Sequence, residues 1–139
     1  MEPLISIVED DDSVRAALQR ILISHGFAVA AFASAEQFLE SDQPYRAACL
    51  IVDVSMPGIS GLRLHQRLLE AGYRIPTIVI TGRPTAADRD EAIGAGVLSY
   101  LPKPFSEQAL LEDISLALGQ SDRQDPRLSR NGSASAVPQ

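Results

Sequence analysis

A run of four apolar residues, Cys49-Leu50-Ile51-Val52, stops on a carboxylate, Asp53, and then breaks into Met56-Pro57-Gly58 and Ser60-Gly61. A segment this short, apolar on both faces and bounded by turn residues, reads as a buried strand of a parallel sheet. Parallel strands need crossover connections, and those crossovers put helices over both faces of the sheet. This one stretch therefore commits the chain to an α/β architecture. It also sets an acid where the strand stops, and ligands of open α/β sheets bind at the carboxyl ends of the strands.

The remaining segments supply the rest of such a sheet. Leu4-Ile5-Ser6-Ile7-Val8 is a mostly apolar strand that ends in Glu9-Asp10-Asp11-Asp12. Val14, Ala17, Leu18, Ile21 and Leu22 recur at helical spacing and mark one apolar face, with Asp11 or Asp12 as the cap and Gly26 as the stop. Phe27–Phe32 is a second strand, and Ser34 with Gln37 is a capping box opening a short helix through about Glu40. Gly61 to Ala71 predicts a helix that buries Leu64, Leu68 and Leu69. Thr77–Ile80 predicts a fourth strand ending at Thr81-Gly82. Thr85 caps a helix through Ala95 that is poor in large apolar residues and carries Asp88, Arg89, Asp90 and Glu91. Val97–Leu101 holds the fifth strand, and Lys103-Pro104-Phe105 follows it. Ser106 caps a last helix whose face is Leu110, Leu111, Ile114, Ala117 and Leu118. Five strands alternating with five helices imply parallel pairing through right-handed crossovers.

A length of 139 residues suits one domain. After Gly119 the composition turns to Ser, Arg, Asp, Asn, Gly and Pro. The expectation is a folded domain over 1–119 and a polar, disordered tail over 120–139. A net charge of −6 with no basic stripe argues against direct nucleic-acid binding. No apolar stretch approaches a membrane span, and Met1-Glu2-Pro3 lacks the positive start of a signal peptide. The single cysteine fits a reducing compartment, so a cytoplasmic location is expected, and Cys49 reads as a core thiol. His25 and His65 with one buried cysteine do not make a zinc site.

The polar residues at the strand ends converge. Glu9 and Asp10, Asp53, Thr81 and Lys103 all leave the sheet at its carboxyl edge. Crowded carboxylates raise one another's pKa unless a cation intervenes. Magnesium is the natural candidate, since it prefers one or two carboxylates with waters and a phosphate. A carboxylate beside a lysine and a hydroxyl is placed to accept a phosphoryl group. Taken singly, Thr81 reads as a turn residue and Lys103 as a surface lysine. Asp11 and Asp12 read as a helix cap and a solvated charge.

The set Ile7-Val8-Glu9-Asp10-Asp11, Ile51-Val52-Asp53 with Met56-Pro57-Gly58 and Gly61, Ile80-Thr81-Gly82, and Tyr100 ahead of Lys103-Pro104-Phe105 resembles the receiver domain of bacterial two-component response regulators. The resemblance covers Pro3 to about Leu118. It implies a flavodoxin-like (βα)5 three-layer sandwich with strand order 2-1-3-4-5. It implies that Asp53 is phosphorylated by a histidine kinase or phosphotransfer protein. Glu9, Asp10, Asp53 and the backbone carbonyl of Ser55 would hold Mg2+. Thr81 and Lys103 would act on the phosphoryl group, with Thr81 and Tyr100 as the switch pair. Ser55 and Arg83 would flank the acceptor, and the Lys103-Pro104 peptide would be cis. Glu9 stands where many relatives have aspartate, and the acid run also offers a shifted pair, Asp10 with Asp11. Pro102 restricts the backbone beside the switch.

The function this implies is a phosphorylation-switched signalling protein. Its readout would be the surface of the fourth helix, fifth strand and fifth helix, offered to an output protein or a second copy. Two other readings compete. One is a receiver-like interaction module that is never phosphorylated. The other is a magnesium-dependent phosphohydrolase, which the absence of an Asp-x-Asp after the first strand disfavours. Similar receivers with Thr-Gly after the fourth strand often continue into a helix-turn-helix domain. Here Gln139 arrives without one, leaving a receiver acting alone or one separated from its output domain.

Overall fold

Along each central strand, apolar side chains point alternately to two faces, and each face has its own layer of helices. In a computed structural model describing residues 3–42, 44 and 46–124, strands and helices alternate throughout. The order is β1 (Leu4–Val8), α1 (Asp12–Ser24), β2 (Ala28–Phe32), α2 (Ala35–Glu40), β3 (Ala47–Asp53), α3 (Gly61–Glu70), β4 (Thr77–Thr81), α4 (Ala86–Gly94), β5 (Ser99–Pro102) and α5 (Glu107–Gln124). The strands form one parallel sheet in the order β2-β1-β3-β4-β5. This is the expected flavodoxin-like (βα)5 sandwich.

On one face Ile5, Ile7, Cys49, Ile51, Ile78 and Ile80 pack beneath Leu18 and Leu22 of α1 and Leu110, Ile114 and Ala117 of α5. On the other, Val8, Leu50, Val52 and Val79 pack beneath Phe38, Leu64, Leu68 and Ala92. Burying each large aliphatic side chain contributes about 1.5–3 kcal/mol, so this two-sided packing holds the layers together. Burial pushes the Cys49 thiol up to about 12, with a smaller push from Asp113. It is a core thiol, not a nucleophile. His65 is also structural: its Nε2 lies 3.1 Å from the Ala95 carbonyl and its Nδ1 3.3 Å from the Thr77 hydroxyl. The ring ties α3 to β4 and to the end of α4.

The caps follow the expected chemistry. The Asp11 carboxylate accepts from the Ser13 and Val14 N–H groups, which makes Asp11 the cap of α1; Asp12 pairs with Arg15. Ser34, Thr85 and Ser106 accept from Gln37, Asp88 and Ala109 at the starts of α2, α4 and α5. Gly26 stops α1 with φ of 88°, a conformation that favours glycine.

Two expectations, on Leu69 and on the reach of α5, need correction. Leu69 is 39% exposed, because it lies at the rim of a cleft between α3 and α4 where no layer covers it. β5 occupies Ser99–Pro102, in the later part of the stretch read as holding it, because the Val97 N–H bonds back to the Ala92 carbonyl in the turn that ends α4. α5 runs to Gln124, past the boundary set at Gly119, since a helical backbone can propagate where apolar residues stop. Residues 125–139 of the expected tail lie outside the described residues. No helix among the described residues is long and apolar enough to cross a membrane.

Candidate functional site

The carboxyl edge of the sheet is fastened by backbone hydrogen bonds one residue beyond the strands. Glu9 N–H donates to the Phe32 carbonyl at 3.0 Å, Val54 N–H to Ile80 at 2.9 Å, and Lys103 N–H to Thr81 at 2.7 Å. These bonds carry the ladder into the loops and fix where Glu9, Asp53 and Lys103 emerge. The Lys103-Pro104 peptide is cis, as expected.

The Lys103 ammonium reaches back over the sheet edge. Its Nζ lies 3.2 Å from Glu9 Oε1 and 3.4 Å from Asp53 Oδ2. Glu9 is fully buried and Asp53 is 6% exposed, while Asp10 faces solvent. Glu9 Oε2 accepts from the Asp11 N–H at 3.1 Å, and Asp53 Oδ1 accepts from the Ser55 N–H at 3.3 Å. Each buried carboxylate thus spends one oxygen on a backbone donor and turns the other toward Lys103.

The electrostatics follow from that crowding. Burial, reinforced by the charge of Asp53, raises Glu9 from 4.5 to about 7 against the opposing Asp11 N–H and Lys103. Burial alone would lower Lys103, but the carboxylates of Glu9 and Asp53 outweigh it and hold the ammonium above its ordinary value. Between pH 4.5 and about 7 the native chain holds a proton on Glu9 that the unfolded chain has released. Stability without added metal therefore falls as pH climbs through that window. Glu9→Gln is expected to remove this contribution. Thermal unfolding of both proteins near pH 5 and pH 8 measures it, and equal slopes would refute the assignment.

A divalent cation fits this place on two observations. Oxygens of Glu9, Asp10 and Asp53 all lie within 4.8 Å of one another. Glu9 Oε1 is buried and makes no aligned hydrogen bond, in spite of its ion pair with Lys103. A hard, oxygen-seeking ion is the partner such a donor set suits. Of the two acid pairs the sequence offered, Glu9 with Asp10 is the one that joins Asp53, since Asp11 is occupied as a cap.

The remaining predicted residues stand around this centre. Thr81 is buried at the end of β4, and its Oγ1 accepts from the Arg83 N–H at 3.1 Å. Tyr100 is turned inward, 9% exposed, and its hydroxyl accepts from the Thr85 N–H at 3.3 Å, just ahead of α4. Ser55 meets Asp53 through its N–H. Sequence reasoning passed over Arg15, whose guanidinium donates to the Glu9 carbonyl at 2.8 Å. Its only legible signal was the three-residue spacing from Asp12.

Residues 5–115 match the response regulator receiver domain, and the chain belongs to that family. Its relatives include the transcriptional regulatory protein FixJ of Azorhizobium caulinodans, 38% identical over 120 residues, which covers 86% of this chain and 57% of FixJ. The response regulator protein TmoT of Ectopseudomonas mendocina is 40% identical over 123 residues, covering 88% of this chain and 56% of TmoT. The solved structure of response regulator StyR superposes with a TM-score of 0.82 at 37% identity, covering 96% of this chain and 67% of StyR. The chain spans somewhat over half the length of the curated relatives it matches.

Proposed function

We propose that this receiver accepts a phosphoryl group on Asp53 from a histidine kinase or phosphotransfer protein, with Mg2+ held by Glu9, Asp10, Asp53 and the Ser55 carbonyl. The observation that carries the reading is the Lys103 ammonium set between two buried carboxylates, with Asp10 beside them. In the transfer, an Asp53 oxygen bonds to phosphorus as the P–N bond of a phosphohistidine breaks, and the imidazole leaves with that electron pair. Ser55 N–H holds Oδ1 and so orients the carboxylate. Lys103, displaced from Asp53 Oδ2, pairs with the incoming phosphoryl oxygens. When bound, Mg2+ neutralises charge on those oxygens.

Thr81 would exchange the Arg83 N–H for a phosphoryl oxygen, drawing the loop after β4 inward. The change would pass to Thr85 and Tyr100, and so to α4, whose side chains are mostly exposed. That makes α4, β5 and α5 the face offered to an output protein or a second copy. The chemistry belongs to a switch that assists its own phosphorylation, in a cytoplasmic setting where such kinases act.

The test is intact-protein mass after incubation with acetyl phosphate, with and without Mg2+. The expected result is a Mg2+-dependent gain of one phosphoryl group in the wild type and none in Asp53→Ala. Full labelling of Asp53→Ala would overturn the assignment.

A further inference from the structure

Asp10 is the exposed member of the acid cluster, and its carboxylate accepts no hydrogen bond among the described residues. What fixes it must act through its backbone. The peptide before Asp10 carries the Glu9 carbonyl, and the peptide after it carries the Asp11 N–H. The first is bonded by Arg15 Nη1 at 2.8 Å and the second by Glu9 Oε2 at 3.1 Å. With both flanking peptides pinned, the Cα–Cβ direction of Asp10 is set.

Arg15 is itself well anchored. Its Nη2 pairs with Asp12 Oδ1 at 2.5 Å, and its own N–H donates to the Asp11 carbonyl at 2.9 Å in the first turn of α1. Its side chain is only 21% exposed. The guanidinium thus joins a helix to the one carbonyl that orients the turn, and its fork lets two nitrogens do so together. Glu9 is a member of the cluster, so Arg15 is the pin that lies outside the proposed ligand set.

From this geometry we infer that Arg15 is a positioning residue for the divalent-cation site, acting on Asp10 through the Glu9–Asp10 peptide. The inference rests on the proposed Mg2+ site. Positioning and simple charge predict opposite signs. A cation beside an acidic site repels Mg2+, so if charge were all that mattered, removing Arg15 would tighten binding. If Arg15 holds the turn, removing it lets Asp10 wander and weakens binding. Partners that orient metal ligands are worth on the order of tenfold or more in metal affinity.

The experiment is calorimetric titration of Mg2+ alone into the unphosphorylated full chain, for wild type, Arg15→Gln and Arg15→Lys. Far-ultraviolet circular dichroism confirms that each is folded. The expected order of affinity is wild type, then Arg15→Lys, then Arg15→Gln, with Arg15→Gln weaker by about tenfold. Lysine keeps the charge and can reach one acceptor, but it has no fork to hold the carbonyl and Asp12 together. Unchanged or tighter binding by folded Arg15→Gln overturns the positioning role while leaving the Mg2+ site standing. A wild type that binds no Mg2+ at millimolar concentration overturns the site itself, and the inference with it.

Discussion

Gly61→Ala is expected to destabilise the protein by about 3 kcal/mol, at the upper end of the usual cost of overpacking. A β-carbon at Gly61 would lie 2.3 Å from the Asp53 carbonyl oxygen, 3.0 Å from its carbon and 3.1 Å from Val54 Cα. All three are backbone atoms, so no flexible side chain can swing away. The segment is also held from both sides: Val54 N–H donates to the Ile80 carbonyl at 2.9 Å, and Gly61 N–H donates to the Val54 carbonyl at 3.2 Å. Relief therefore requires the end of β3 to move, and Asp53 moves with it. In a domain of this size the melting temperature should drop by roughly 10 °C. Phosphoryl labelling from acetyl phosphate should slow on the order of tenfold or more, because misplacing a reacting group by about an ångström costs that much. Gly94→Ala is the control. Its β-carbon would meet nothing within 4 Å, and alanine suits the end of α4, so its stability should rise by a few tenths of a kcal/mol, a fraction of the roughly 1 kcal/mol by which alanine is favoured in a helix interior. Gly61→Ala melting within about 2 °C of wild type would show that the loop yields where the geometry says it cannot.

How far such contacts can be foreseen depends on their range. Strands and helices were legible because their causes are local: the unbroken apolar run Cys49–Val52, capping oxygens at Ser34, Thr85 and Ser106, and a helix stop at Gly26. The convergence of Glu9, Asp10, Asp53 and Lys103 was legible too, since parallel strands bring all their carboxyl ends to one edge. Strand order was not, because right-handed crossovers allow several arrangements; it came with the family resemblance. Burial of Leu69 failed for a related reason. Helical spacing marks a face, but whether another layer covers the end of that face depends on the angle and reach of α4. Gly61 looked like a turn glycine, and only the approach of the Asp53 carbonyl shows why a side chain is excluded. Arg15 acts on a backbone carbonyl, and no residue pattern advertises a backbone partner.

The same reasoning about buried groups makes Lys103→Met the second large effect. Methionine keeps most of the aliphatic stem but removes the ammonium lying 3.2 Å from Glu9 and 3.4 Å from Asp53. Breaking a buried ion pair from one side costs about 3–5 kcal/mol, because the partner charge is left behind without compensation. The lower end, about 3 kcal/mol near pH 8, is expected here, since the Lys103 side chain is 23% exposed. The loss should shrink near pH 5, where Glu9, raised to about 7, takes a proton and presents no charge to strand. Adding Glu9→Gln to Lys103→Met should recover part of the loss at pH 8 for the same reason. Magnesium then separates a structural pair from a functional site. If Glu9, Asp10 and Asp53 hold the ion, two carboxylates stripped of their lysine should hold it more tightly. Millimolar Mg2+ should therefore raise the melting temperature of Lys103→Met more than that of wild type. Equal shifts would mean that the ion does not share these oxygens with Lys103. A larger shift in the variant would make Lys103 the group that keeps the carboxylates folded and compact until metal and phosphoryl donor arrive.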